Sequence, residues 1–234
     1  MEHAEPYADC TECSVRAQSF CGAIPPRGLD GLARSRRTEC FDRRQTIASE
    51  GEPAQSFFNI ISGVVKLCRS LPDGRTQIIG FRFPGEMFGA CDSETYTTSA
   101  EALTMVELCR FPRARLKRLA QAHPTAQTRL LEMNYRHLVD SEDQIFLLGR
   151  KTAREKVASF LLSYGDKFSR GMGGGDQRIE LPVTRAEIAD FLGLTTETVS
   201  RILASLVREK IITVGLSHSV RLLNTDSLRR ISGN

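Results

Sequence analysis

The sequence contains no apolar run approaching the roughly 18 to 20 residues that a membrane span needs, so no span is expected. Its first residues, Glu2, Glu5 and Asp9 among them, lack the basic start and apolar stretch of a signal peptide. There is no Gly-rich dinucleotide turn, Walker loop, HExxH pair or GxSxG elbow, which removes the motifs that a redox enzyme or hydrolase would carry. No enzyme is expected. His3, His123, His137 and His218 are isolated, so no H-x3–5-H metal pair exists. The seven cysteines are an odd number in a chain without an export signal, which argues against a disulfide framework and for a reduced, cytoplasmic setting.

What is present is globular. A length of 234 residues accommodates one large domain or two modest ones. With 41% hydrophobic and 26% charged residues, the composition excludes disordered and collagen-like chains. The net charge is +4, unevenly placed: residues 1–150 carry 19 basic against 19 acidic side chains, and residues 151–234 carry 13 against 9. All the excess positive charge lies in the last third.

Three cysteines crowd into one segment as C-x2-C-x7-C: Cys10, Cys13 and Cys21. Two-residue spacing lets the chain turn and present both sulfurs to one metal centre. The motif serves zinc and iron–sulfur centres alike, but a structural zinc site would call for a second C-x2-C or a His pair. Three local thiolates needing one distant partner suit a four-iron cluster, which takes one Cys per iron.

The texture then changes along the chain. Residues 1–30, poor in aliphatics and holding the cysteines and Pro25-Pro26, read as a loop-rich arm. Residues 31–120 carry short β-branched or aromatic runs (Ser56–Ile61, Val64–Leu67, Gln77–Phe81, Thr104–Leu108) punctuated by Gly and Pro, predicting an antiparallel β-roll. Residues 121–151 predict a long helix. Leu131, Leu138 and Ile145 fall seven apart, and Asn134, Ser141 and Leu148 complete a heptad seam for pairing with a second copy. Leu130, Phe146 and Leu147 predict a second apolar face toward the chain's own β-domain. Residues 152–168 predict a further helix, and Gly171–Gly175 a flexible link.

In residues 152–234 the strongest pattern is Thr184 with Glu187, a capping box that starts one short helix with Ala189 and Leu192 inward. Gly193 permits a turn. Thr195 or Thr196 caps a second helix with Val199, Ile202, Leu203 and Leu206 inward. Two short helices about a Gly turn describe a helix-turn-helix, and Ile211–Val214 with Val220–Leu223 a wing. Glu197, Ser200 and Arg201 share the outer face of the second helix, where Arg can donate two bonds to guanine and Glu can accept from a base amino group. Arg208, Lys210 and Arg221 are available for phosphates. Double-stranded DNA is the expected partner, and the fold class is α+β: β-roll, long dimerisation helix, winged helix-turn-helix.

Together, Gly51–Ala54, Gly63–Lys66, Phe83–Glu86, the long helix and Leu194–Arg201 resemble the Crp/Fnr transcription regulators over essentially the whole chain. The N-terminal Cys triplet and Glu197-x-x-Ser200-Arg201 are similar to the oxygen-responsive Fnr-type branch, with its FnrN and cluster-bearing FixK forms. This resemblance implies TTGAT-type palindromic sites, a homodimer, and one [4Fe-4S] cluster per subunit held by Cys10, Cys13, Cys21 and, by position in Leu108–Pro112, Cys109. It further implies an activator of low-oxygen metabolism or nitrogen-fixation genes, meeting RNA polymerase near Asp73-Gly74-Arg75. Cys40, Cys68 and Cys91 match no ligand position. Thr97-Thr98-Ser99-Ala100 lacks the Arg with which relatives hold a cyclic phosphate, so cAMP binding is not expected. Where Fnr-type proteins often place an acid in the seam, this chain has Ser141, flanked by Asp140, Glu142 and Asp143. The alternative is a cluster-free Crp/Fnr-type regulator, constitutive or responsive to a small ligand in the β-roll.

Overall fold

The computed structural model describes residues 10, 12–89, 93–172, 178–180, 182–215 and 219–233. Two compact units are formed, one from residues up to Arg69 together with Gly80–Leu138, the other from Ser70–Ile79 together with residues from Val139 on. Cys91 and His218 lie outside the described residues, as does part of the expected Gly171–Gly175 link.

Eight strands make two four-stranded sheets. The first has the order β1 (Arg37–Phe41), β8 (Val106–Pro112), β3 (Ser56–Ser62), β6 (Met87–Phe88). The second runs β2 (Thr46–Ala48), β7 (Ser99–Ala102), β4 (Val65–Ser70), β5 (Thr76–Arg82). Of these, β1, β2, β6 and β7 carry no sequence signal of their own: Arg37–Phe41 is too polar, and the others too short, for an apolar run to mark them.

Strand β3 organises both cores, because successive side chains of a strand point to opposite faces. Phe58 and Ile60 join Phe88, Leu108, Val106, Val65 and Tyr96 in one core, with the Phe58 and Phe88 rings stacked at 4.9 Å. Phe57 and Ile61 join Met87, Cys109 and Phe111 in the other, where the Phe57 and Phe111 rings stack at 5.0 Å. Double-sided burial is why this strand reads as a continuous apolar run rather than as an alternation.

The cysteine arm closes over the second of these faces. Its few apolar residues are put to use there: Phe20 sits edge-on to Phe57 at 6.3 Å, and Ile24, Leu29 and Leu32 are buried beside it. Burial of each such side chain contributes about 1.5–3 kcal/mol, enough for a short segment to dock. Phe20 and Cys21 start a single 3-10 turn, and α1 (Pro26–Ala33) follows, opened by Pro26 at its first position. This helix departs from the loop-rich arm that the composition of residues 1–30 predicts.

After α2 (Arg113–Ala122), Pro124 forces His123 into an extended conformation and opens the long helix α3 (Pro124–Arg150). The inner stripe of α3 differs from expectation. Ala126, Leu130 and Met133 pack in the Phe57–Phe111 core, whereas Phe146 is 60% exposed. Within the first unit, the apolar contact of α3 to the β-roll is made by these first three turns.

The second unit contains α4 (Ala153–Met172), α5 (Arg185–Leu192), α6 (Thr196–Arg208), a three-stranded antiparallel sheet and α7 (Thr225–Ser232). Thr184 and Glu187 form the reciprocal capping box, and Gly193 takes the left-handed conformation (φ 61°) that turns α5 into α6. Strands β10 (Ile212–Val214) and β11 (Ser219–Leu222) are the wing, extended by the unexpected β9 (Arg178–Glu180) in the order β10-β11-β9.

Gly63, between β3 and β4, has φ 83°, and a Cβ there would collide with the Met105 carbonyl. Gly63→Ala should lower stability by about 3 kcal/mol, read as a lower urea midpoint with an unchanged slope.

Candidate cysteine centre and nucleic-acid interface

Cys10 is buried at the start of the described arm, Cys13 and Cys21 are half-buried along it, and Cys109 is buried on β8. The turn that follows Cys13 is fixed by its own backbone: Arg16 N–H donates to the Cys13 carbonyl at 3.0 Å, and the Ser19 hydroxyl accepts from the Cys21 N–H at 3.2 Å.

The four thiols are electrostatic neighbours. Burial pushes the Cys21 thiol up to about 12, and nearby Cys10 and Cys13 push the same way against the Ser19 hydrogen bond. Burial likewise pushes Cys109 up to about 12, opposed by the Arg36 guanidinium and assisted by Cys21, Cys13 and Cys10. Burial therefore keeps the Cys21 and Cys109 thiols protonated at neutral pH, and a cation that displaces their protons offsets the charge of the thiolates left behind. Arg36 also donates to the Cys10 Sγ at 3.2 Å, placing a permanent positive charge beside the set.

Among the described residues no three His, Cys, Asp or Glu side chains converge as ligands of a single ion. A zinc ion would require such convergence at about 2.3 Å from each sulfur. A four-iron cluster makes a different demand, one thiolate on each of four irons, and four soft thiols fit it, with Cys10, Cys21 and Cys109 at one apolar core and Cys13 near enough to act on Cys21 and Cys109. Cys40 is exposed on β1 and Cys68 is buried on β4; neither is among the groups that shift Cys21 or Cys109.

The arm is tied to the start of α3 by polar contacts that no spacing rule reveals. Arg129 donates to the Gln18 carbonyl at 2.9 Å, and the Thr125 hydroxyl donates to the Ala23 carbonyl at 2.8 Å. Further along α3, Leu131, Leu138 and Ile145 are 63%, 55% and 71% exposed in the single chain. Asn134 and Ser141 are exposed with them, and Leu148 is half-buried. Asp140 is paired with Lys167 at 2.8 Å, while Glu142 and Asp143 are exposed.

In the second unit Thr195 caps α6 by accepting from the Thr198 N–H at 3.2 Å, and Thr196 is the exposed first helical residue. Val199, Leu203 and Leu206 are buried and Ile202 half-buried, so the opposite face is left for solvent. There Glu197 and Arg201 are exposed and Ser200 is half-buried, 3.5 Å from the Arg185 guanidinium. Its own backbone N–H and the Thr195 hydroxyl hold the Glu197 carboxyl below the usual carboxylate range, so it is an ionised acceptor at the helix start. Arg185, on α5, carries no motif that singles it out in the sequence. Arg208, Lys210 and Arg221 are all exposed.

A winged helix-turn-helix joined in one chain to an eight-stranded roll is the architecture of a DNA-binding transcription regulator. Residues 38–123 match the model of the cyclic nucleotide-binding domain, and residues 155–231 that of the Crp-like helix-turn-helix domain. The chain belongs to the Crp/Fnr family, which are transcription regulators and not enzymes. It is similar to the transcriptional activatory protein AadR of Rhodopseudomonas palustris, at 38% identity over 92% of this chain and 89% of that protein. It is similar to the nitrogen fixation regulation protein FixK of Bradyrhizobium diazoefficiens, at 37% identity over 88% and 86%. Among solved structures, FixK2 from Bradyrhizobium japonicum matches with a TM-score of 0.77 and 32% identity, covering 84% of this chain and 96% of that one. Members of this family bind DNA as dimers.

Arg201→Ala should cost about 1–3 kcal/mol of specific DNA binding and relax the preference for guanine, measured by competition between operator and single-base variants at fixed salt.

Proposed function

We propose that this protein is an oxygen-responsive, homodimeric transcriptional activator of low-oxygen metabolism or nitrogen-fixation genes, binding TTGAT-type palindromes. The observation that carries the reading is the gathering of Cys10, Cys21 and Cys109 at the apolar core that also receives Ala126, Leu130 and Met133 of α3, with Cys13 close enough to act electrostatically on Cys21 and Cys109. Bound there, a [4Fe-4S] cluster supplies an oxygen-labile cross-link among four thiolates, one cluster per subunit.

The chain's own residues do the rest. Cys10, Cys13 and Cys21 hold the arm against Cys109, and the arm's carbonyls at Gln18 and Ala23 hold Arg129 and Thr125. Fixing these first turns favours one orientation of α3, in which Leu131, Asn134, Leu138, Ser141, Ile145 and Leu148 meet their counterparts in a second copy. Paired subunits then present two α6 helices about one DNA turn apart. Glu197, Ser200 and Arg201 read the half-site, Thr195 and Thr196 lie at the backbone end of the same helix, and Arg208, Lys210 and Arg221 take phosphates.

The likeness to AadR, a transcriptional activatory protein, and to FixK, a nitrogen fixation regulation protein, supports the activator role. The exposed turn at Asp73-Gly74-Arg75, with its 2.8 Å ion pair, is the surface proposed for RNA polymerase. Residues 97–100 offer no guanidinium for a cyclic phosphate, and Ser99 is occupied in accepting from the Glu50 N–H at 3.0 Å, which supports a roll that does not use cAMP.

Purification without oxygen, followed by iron and sulfide analysis, tests the reading. The expected result is about four irons and four sulfides per chain; iron-free protein that binds a TTGAT palindrome equally well in air favours the cluster-free alternative. Cys109→Ala should abolish iron retention and Cys68→Ala should leave it unchanged. Arg129→Ala should retain iron while shifting the loaded protein toward monomer in sedimentation, separating the centre from its readout.

A further inference from the structure

The cross-strand neighbours of Cys109 on its buried face are both polar. Thr38 on β1 and Asn59 on β3 are both the direct register partners of Cys109. Directly opposed residues of antiparallel strands project on the same side, with Cβ atoms about 4.5–5.5 Å apart. The alternation of β3 agrees: Phe57 and Ile61, two residues either side of Asn59, are in the Cys109 core, and Phe58 and Ile60 are in the other. Asn59 is also the register partner of Met87, so the row across the sheet is Thr38, Cys109, Asn59, Met87.

Both polar members of that row carry a buried oxygen with no hydrogen-bond partner, the Thr38 Oγ1 and the Asn59 Oδ1. Asn59 is only 3% exposed. A buried polar atom without a partner is costly, and native structures keep few of them. Two flanking the same cysteine call for a partner that arrives with that cysteine's ligand. A metal-bound thiolate is an acceptor only, and the neighbours can answer it. The Thr38 hydroxyl turns about its Cβ–Oγ bond, and the Asn59 carboxamide exchanges N for O by a half-turn about Cβ–Cγ.

We propose that Thr38 and Asn59 are hydrogen-bond donors to the Cys109 sulfur in the loaded centre, acting as positioning and tuning residues from the two adjacent strands. This rests on the cluster reading above. Donors to a ligand sulfur stabilise the more negative, reduced form, so they raise the reduction potential and slow oxidation.

The test uses the full chain purified without oxygen, comparing wild type with Thr38→Val, Asn59→Leu and the double variant, which keep side-chain volume and remove the donors. Iron and sulfide content, reduction potential, the rate at which the visible band bleaches in air, and the urea midpoint of the iron-free form are measured. Expected in the loaded double variant are a more negative potential and severalfold faster bleaching. The iron-free double variant should unfold at an equal or higher urea midpoint, because two unpaired groups are gone. Thr38→Ser, which keeps the hydroxyl, should behave like wild type. Loaded variants with wild-type potential and bleaching would overturn this inference and leave the cluster reading standing, as would a lowered urea midpoint in the iron-free form. Wild type without iron or sulfide would overturn both. Should the double variant not fold, Thr38→Val alone carries the same comparison.

Discussion

The packing of a short arm on one face of one sheet is the constraint on which the rest of the molecule depends. Phe57, Cys109 and Phe111 on β3 and β8 form that face, and Phe20, Ile24, Leu29 and Leu32 are the large apolar side chains that the described arm and α1 bury against it. A segment with so few apolar side chains docks by a narrow margin, because ordering its backbone costs about 1–2 kcal/mol per residue. Small additions to its docking energy therefore decide its population. Cysteines on both arm and sheet are one way to supply such an addition, through a shared metal centre whose loss withdraws it.

That same core receives the first three turns of α3 through Ala126, Leu130 and Met133. Arm, sheet and helix thus share one packed volume, and protein interiors of this density transmit displacement rather than absorb it. Beyond those turns the helix carries an exposed apolar seam interrupted by Asn134 and Ser141. Polar seam positions fix register at the expense of affinity, which suits pairing that must be reversible.

Much of this is legible in the sequence where a local physical rule applies. Thr184, Glu187, Gly193 and Thr195 specify the helix-turn-helix through caps and a left-handed turn that involve only neighbouring residues, and all of these form in the structure. Strands β3, β4, β5 and β8 stand out as apolar runs. Strand β1 does not, since Arg37–Phe41 alternates polar side chains over an edge position, and α1 and α7 are too short for periodicity to mark. At the cysteine centre, the spacing of Cys10, Cys13 and Cys21 is visible, but Cys109 comes only from a family resemblance. The contacts of Arg36 with Cys10 and of Arg129 with Gln18 join residues 26 and 111 positions apart. Like the flanking of Cys109 by Thr38 and Asn59, they are products of tertiary pairing, for which no sequence window has a signal.

If thiolate coordination at the arm governs whether two chains associate, the metal and the dimer should be lost together. Sedimentation equilibrium of one anaerobic preparation, run as purified and again after the metal has been removed by a chelator without oxygen, tests it most directly. The expected result is a dimer that becomes predominantly monomeric on metal loss; an identical mass distribution in both states would show that the metal does not govern association.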